Sequence, residues 1–143
     1  MNALSEFDDL LKDVFLTQEK NNAGIYAVKL YVRGKPWIIT VDDEMMFYEQ
    51  QPYFALPGDN GSLWGPILEK AFAKAIGSYA AANGGYTATG IRALTGVPVF
   101  DYYWSFLNMT ESDNPAVWSV LKAADDLNYI LGAGTIGVDT GTN

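Results

Sequence analysis

Leu63-Trp64-Gly65-Pro66-Ile67-Leu68-Glu69-Lys70-Ala71-Phe72-Ala73-Lys74-Ala75-Ile76-Gly77-Ser78-Tyr79 is the stretch on which the reading of this chain turns. Trp64, Ile67, Leu68, Phe72, Ala75, Ile76 and Tyr79 recur at three- and four-residue spacing, so they share one stripe of an amphipathic helix. Ser62 stands where an N-cap is expected, and Pro66 suits the first turn. Asn83-Gly84-Gly85 supplies a left-handed stop. Trp37, Trp64, Phe72 and Tyr79 are read as core rather than as a ligand box, because one buried face accounts for their spacing.

Upstream of this helix the period changes from 3.6 to two. Tyr26, Val28, Leu30 and Val32 alternate onto one face, Arg33-Gly34-Lys35-Pro36 reads as a turn, and Trp37 to Val41 returns as an apolar run. This is a β-hairpin, closed by Asp42 and Asp43 and followed by a proline- and glycine-rich loop through Pro52, Pro57, Gly58 and Gly61. Before the hairpin, Leu4, Phe7, Leu10, Leu11, Val14 and Phe15 form a short amphipathic helix, with Ser5 and Asp8 as a capping box.

Downstream, Thr87 to Leu94 reads as a helix halted by Gly96 and Pro98. Val99 to Phe106 is aromatic enough for a strand, and Asn114-Pro115 starts a helix reaching about Leu131. Gly132-Ala133-Gly134 breaks that helix before a short apolar tail, Thr135 to Val138. Helices and antiparallel strands without a βαβ rhythm give the class α+β.

The 143 residues, 49% of them hydrophobic, suffice for one buried core. Seventeen acidic against nine basic residues give a net charge of -8, which repels phosphate backbones and anionic lipid and leaves no expectation of a nucleic-acid or membrane partner. Cysteine and histidine are both absent. The chain therefore has no thiolate nucleophile, no histidine base and no cysteine or histidine metal ligand, and any metal site is expected to be built from oxygen. No basic n-region with an apolar core opens the chain, and no run of about eighteen apolar residues crosses it, so an intracellular, cytoplasmic location is expected. The sequons Asn60-Gly61-Ser62 and Asn108-Met109-Thr110 would matter only in a secreted chain.

Asp42, Asp43 and Glu44 read as a hard-cation cluster or as paired acid and base groups only if the backbone bends, because consecutive strand residues point to opposite faces. They are better read as the end of the strand. Asp125-Asp126 is read as solvated helix surface, and of Tyr102, Tyr103 and Trp104 some must face outward.

In order and spacing, Gly24-Ile25-Tyr26, Trp37-Ile38-Ile39-Thr40-Val41-Asp42-Asp43, the helix Leu63 to Lys74, Gly77-Ser78-Tyr79 and the double glycine Gly84-Gly85 resemble the protease core of the calpain family. The resemblance implies part of a papain-like fold and an intracellular cysteine endopeptidase, calcium-dependent in many members. In that family a cysteine attacks the peptide carbonyl, a histidine carries the proton and an asparagine orients the histidine. None of the three can be placed on this sequence, so no catalytic residue is assigned. The resemblance sets residues 1–143 between nucleophile and base, as a single partial domain comprising most of the first protease subdomain and the start of the link to the second.

Two site expectations follow from the resemblance alone. Gly84 and Gly85 match the double glycine that lines the family's substrate cleft, where a missing side chain lets two backbones approach. Ser62 matches the glutamate of a family calcium site, and a neutral hydroxyl replaces a bidentate carboxylate poorly. Asp59 in the same loop is read as a turn residue. No metal or cofactor is expected in this chain, and calcium is left to the parent. The expected partners are a peptide or protein substrate and the remainder of the protease core. The alternative function is a catalytically inactive peptide-binding or scaffold module of the same ancestry, and a free-standing oxygen-ligand calcium binder ranks third.

Overall fold

β1 (Ile25–Val32) and β2 (Lys35–Asp42) pair antiparallel, with Tyr26 opposite Val41, Val28 opposite Ile39, Leu30 opposite Trp37 and Val32 opposite Lys35. The computed structural model describes residues 7–102 and 114–133. Alternation sets the burial: Tyr26, Val28 and Leu30 lie in the core while Ile25 and Ile38 stay exposed. Arg33 and Gly34 both have positive φ, 52° and 75°, as a two-residue type I′ turn requires. The second strand begins at Lys35, two residues before the expected Trp37.

Asp43 donates its N–H to the Gly24 carbonyl at 2.9 Å, which fixes the ladder's phase. Alternating from there, Tyr26–Val41, Val28–Ile39 and Leu30–Trp37 exchange hydrogen bonds, and Pro36, Ile38 and Thr40 turn their backbone groups away from β1. Pro36 has no N–H to offer on that edge, and Lys74 Nζ donates to the Thr40 carbonyl at 2.7 Å. β1 is flanked on its other side as well. Phe15 bridges Val28, Leu16 N–H donates to the Ala27 carbonyl at 2.9 Å, and the Thr17 hydroxyl accepts from Ala27 N–H at 3.1 Å.

That segment is led in by α1 (Asp8–Val14), whose N-cap is Phe7; the expected capping residue Ser5 lies outside the described residues. Lys29 Nζ reaches Asp13 at 2.5 Å and ties α1 to β1. Within the expected loop after β2 a small hairpin forms, β3 (Phe47–Tyr48) with β4 (Gln51–Pro52), turned by Glu49 and Gln50 at φ 47° and 70°. Its aromatic rings continue into a cluster: Tyr53 meets Phe54 edge-on, and Phe54 stacks on Tyr79 with centroids 4.2 Å apart.

α2 (Trp64–Ile76) is the helix read from the sequence, and it buries Pro66, Ile67, Leu68, Ala71 and Ala73. Two details differ from expectation. Leu63, not Ser62, is the N-cap, and no side chain caps the first turn. The helix also stops at left-handed Gly77, before Asn83-Gly84-Gly85. Ser78 then starts a new element, because its extended backbone lets Oγ accept from Ala81 N–H at 3.1 Å, capping α3 (Tyr79–Ala82). Asn83 closes α3, and the glycine pair follows it without ending α2.

α4 (Thr87–Thr95) ends at Gly96 as expected and contributes Ala88 and Leu94 to the core. α2 packs on both hairpin strands, and α4 packs on β1 and α1. Trp37 is not a core residue: it is 56% exposed. Lys70 and Lys74 tie α2 to the Asp42 end of β2, whereas Trp37 stands toward the turn end.

The described residues divide into two compact units, parted between Val99 and Phe100. Residues 99–102 form no regular element, so the expected strand is absent there; its remainder to Phe106, including Tyr103 and Trp104, lies outside the described residues. Tyr102 is exposed. In the second unit α5 (Asn114–Asp126) stops five residues short of Leu131. Asn128 adopts φ 56°, Tyr129 N–H reaches back to the Ala124 carbonyl at 2.9 Å, and Asn128 N–H to Asp125 at 2.8 Å. This Schellman closure, with asparagine in the glycine role, ends the helix. Asp126 pairs with Lys122 one turn earlier at 3.0 Å, and the tail Thr135 to Val138 lies outside the described residues. Among the described residues no helix is long and apolar enough to cross a membrane.

Candidate substrate-binding site

Gly84 and Gly85 hang between two capped helices. Asn83 closes α3, its N–H donating to the Ala80 carbonyl at 3.4 Å, and the Tyr86 carbonyl opens α4 by accepting from Thr89 N–H at 2.9 Å. The pair is held at φ 82° and 153°, conformations in which an L side chain is strained. Both glycines are exposed, and a Cβ placed on either would meet nothing within 4 Å. Neither backbone joins the loop hydrogen bonds among the described residues. The result is a short ledge of free peptide groups with open space above it.

The acidic run after β2 serves structure. Asp42 Oδ1 accepts from Lys70 Nζ at 2.5 Å and from Glu44 N–H at 3.0 Å, and the same ammonium reaches the Glu44 carbonyl. The Lys70 hydrogen bond, aided by Glu44 N–H, holds the Asp42 carboxyl below its ordinary value. A depressed carboxylate stabilises the fold above the unfolded-state pKa and ceases to do so as pH falls through the folded value. With the Asp42 carboxylate open to water and Lys70 only partly covered, the contribution is small, about 0–1 kcal/mol. Asp42→Asn should therefore cost little in urea midpoint at pH 7, and the gap to the parent chain should close on titration below the ordinary aspartate range.

Asp59 sits in a turn organised by its neighbour: Ser62 N–H donates to Asn60 Oδ1 at 3.0 Å, and Gly61 N–H to the Gly58 carbonyl at 2.7 Å. Among the described residues no three acidic, histidine or cysteine side chains gather as a metal site. Ser62, Asp59 and Asp42–Glu44 are thus not brought together.

One feature had no signal in the sequence. A cavity of about 380 Å³ opens between α1, the start of β1 and the start of α2, walled by Leu11, Phe15, Tyr26, Trp64 and Ile67, with Lys12 and Lys20 at its polar side. Lys12 and Lys20 are eight residues apart across a helix end and a loop, and periodicity says nothing about such a pairing.

Comparison with known proteins gives the family of this chain. The sequence model described as calpain family cysteine protease matches residues 1–143. The chain is 39% identical over 128 residues to the calpain-type cysteine protease DEK1 of Zea mays, covering 87% of this chain and 6% of that protein. It is 30% identical over 114 residues to calpain clp-4 of Caenorhabditis elegans, covering 79% of this chain and 15% of that one. Against calpain-A of Drosophila melanogaster it is 30% identical over 115 residues, covering 80% of this chain and 13% of the relative. The chain thus spans between 6% and 15% of the lengths of these relatives. With the family model matching end to end, and the hairpin, the long helix and the double glycine in the order that the resemblance required, this chain belongs to the calpain family of cysteine proteases.

Proposed function

We propose that this chain is the part of a calpain-type cysteine endopeptidase core lying between its nucleophile and its base, and that its contribution to peptide-bond hydrolysis is a backbone ledge for substrate at Gly84 and Gly85. The observation that carries the reading is the open, unpartnered geometry of that pair. An extended peptide needs unpaired N–H and C=O groups along its path and room for its own backbone, and two exposed glycines supply both. Hydrolysis itself requires a cysteine and a histidine from elsewhere, since this chain has neither. Calcium dependence would then rest on the parent's other segments, because Ser62 offers a hydroxyl where a carboxylate is needed.

Titration of the 15N-labelled chain with a capped, extended pentapeptide tests the ledge. Amide shifts should concentrate at Gly84, Gly85 and Tyr86, and Gly85→Ala should weaken binding about tenfold, because a side chain at φ 153° strains the ledge and occupies the space a peptide backbone would need. Shifts confined to other residues would remove the assignment.

The same ancestry without catalysis, a peptide-binding or scaffold module, is the second reading, favoured by the joint absence of cysteine and histidine. Sequencing the gene on both sides decides between them. A Gln-Gly-X-Cys-Trp-like motif upstream and a Gly-His-Ala-like motif downstream support the protease, and their absence supports the module.

A further inference from the structure

We infer that Asn83 is a self-modification site, which deamidates through a succinimide formed with the Gly84 nitrogen to give aspartate and isoaspartate. The chain contains two Asn-Gly pairs, Asn60-Gly61 and Asn83-Gly84, and in both the second residue has no Cβ to shield its backbone nitrogen from the asparagine side chain. Both asparagines are exposed. The bare sequence ranks them alike, and the structure separates them.

At the first pair the reacting groups are already engaged. Asn60 Oδ1 accepts from Ser62 N–H at 3.0 Å, and Gly61 N–H donates to the Gly58 carbonyl at 2.7 Å. Bringing the Gly61 nitrogen onto Asn60 Cγ breaks both bonds. At the second pair neither cost arises, because the Asn83 side chain and the Gly84 N–H make no hydrogen bond among the described residues. Asn83 stands just past the end of α3 at ψ 100°, and a Cβ on Gly84 or Gly85 would meet nothing within 4 Å. The backbone after Asn83 can therefore rotate toward its side chain without displacing a neighbour.

Water is the one co-reactant. The Gly84 nitrogen gives its proton to hydroxide and bonds to Asn83 Cγ, the Cγ–Nδ2 bond breaks, and ammonia leaves after taking a proton from water. Water then adds to either carbonyl of the ring. One opening restores the peptide bond and leaves aspartate; the other routes the backbone through Cβ and leaves isoaspartate. Nothing is oxidised or reduced. Both products set a carboxylate, ionised at neutral pH, directly before Gly84, and the second lengthens the backbone by one carbon. Where the glycine pair serves as a peptide ledge, as proposed above, each product changes the path offered to substrate; the deamidation itself does not rest on that reading, and its test involves no peptide.

The 143-residue chain is aged in heavy-oxygen water at mildly alkaline pH, in buffer and in guanidinium chloride, and its proteolytic peptides are followed by mass spectrometry. In buffer Asn83 should deamidate at least about tenfold faster than Asn60, the rate equivalent of the two hydrogen bonds that hold the Asn60 turn. Each product should carry one solvent oxygen. In denaturant the two rates should converge, and Gly84→Ala should slow the reaction at Asn83 several-fold while leaving Asn60 as it was. The inference is overturned if Asn60 reacts as fast as Asn83 in the folded chain, if the ratio survives unfolding, if Asn83 stays intact in buffer, or if the products hold no solvent oxygen.

Discussion

Leu68→Ala should lower the unfolding free energy by about 3 kcal/mol and the melting temperature by roughly 10–20 °C. Leu68 is fully buried on α2, and Ile67, Ala71, Val28 and Leu30 are each no more than 1% exposed. Alanine is at least as good a helix former as leucine, so the loss comes from the apolar area returned to water and from the cavity left behind. A core this small offers few side chains able to close the gap. Ile76→Ala is the internal control. Ile76 occupies the last turn of the same helix and is 42% exposed, and its truncation should cost under about 1 kcal/mol. Equal losses in urea denaturation would mean that α2 does not present Leu68 to the core.

Gly96→Ala should cost about 2–5 kcal/mol from two separable sources. Gly96 closes α4 at φ 70°, where an alanine loses roughly 1–2 kcal/mol in backbone strain. A Cβ there would also stand 2.5 Å from Tyr31 Cδ1 and 2.7 Å from Cε1, inside van der Waals contact, so the ring or α4 must move at a cost of about 1–3 kcal/mol. Gly34 has φ 75° with nothing within 4 Å, so Gly34→Ala carries the backbone share alone. The difference between the two variants measures the contact with Tyr31. Adding Tyr31→Ala to Gly96→Ala should recover that difference and no more, and additive losses would show that helix and strand do not meet there.

Periodicity made α2, α4 and the β1–β2 hairpin legible because each carries a long pattern that only one secondary structure can bury. Helix ends were harder, because several residues compete to stop a helix. Gly77 ended α2 ahead of the more conspicuous Gly84–Gly85, and Ser78 used its side chain to begin α3 instead of extending the earlier helix. Asn128 ended α5 with a reverse turn that asparagine adopts only in some contexts, so Leu127 and Tyr129, apolar enough to continue the pattern, fell outside it. Trp37 misled for a different reason. Alternation tells which face a residue shares, and Trp37 does share the face of Leu30, but how far a covering helix extends along a strand is a tertiary fact.

The candidate sites divide the same way. Gly84 and Gly85 were singled out through family resemblance, and a Cβ on either would meet nothing within 4 Å. The cavity beside Tyr26 stayed invisible because its lining residues come from different elements and form no spaced motif.

The outer edge of β2 bears on how this chain behaves in company. An unpaired strand that exposes tryptophan and isoleucine side chains is ordinarily a template on which further copies stack into aggregates. On this edge Pro36 offers no donor and the Thr40 carbonyl is occupied by Lys74, which leaves Ile38 as the one residue between them with both backbone groups open to a newcomer. A single residue cannot nucleate a ladder. The hairpin can therefore display Trp37 and Ile38 to solvent while withholding the hydrogen bonds that would let sheets grow from one molecule to the next.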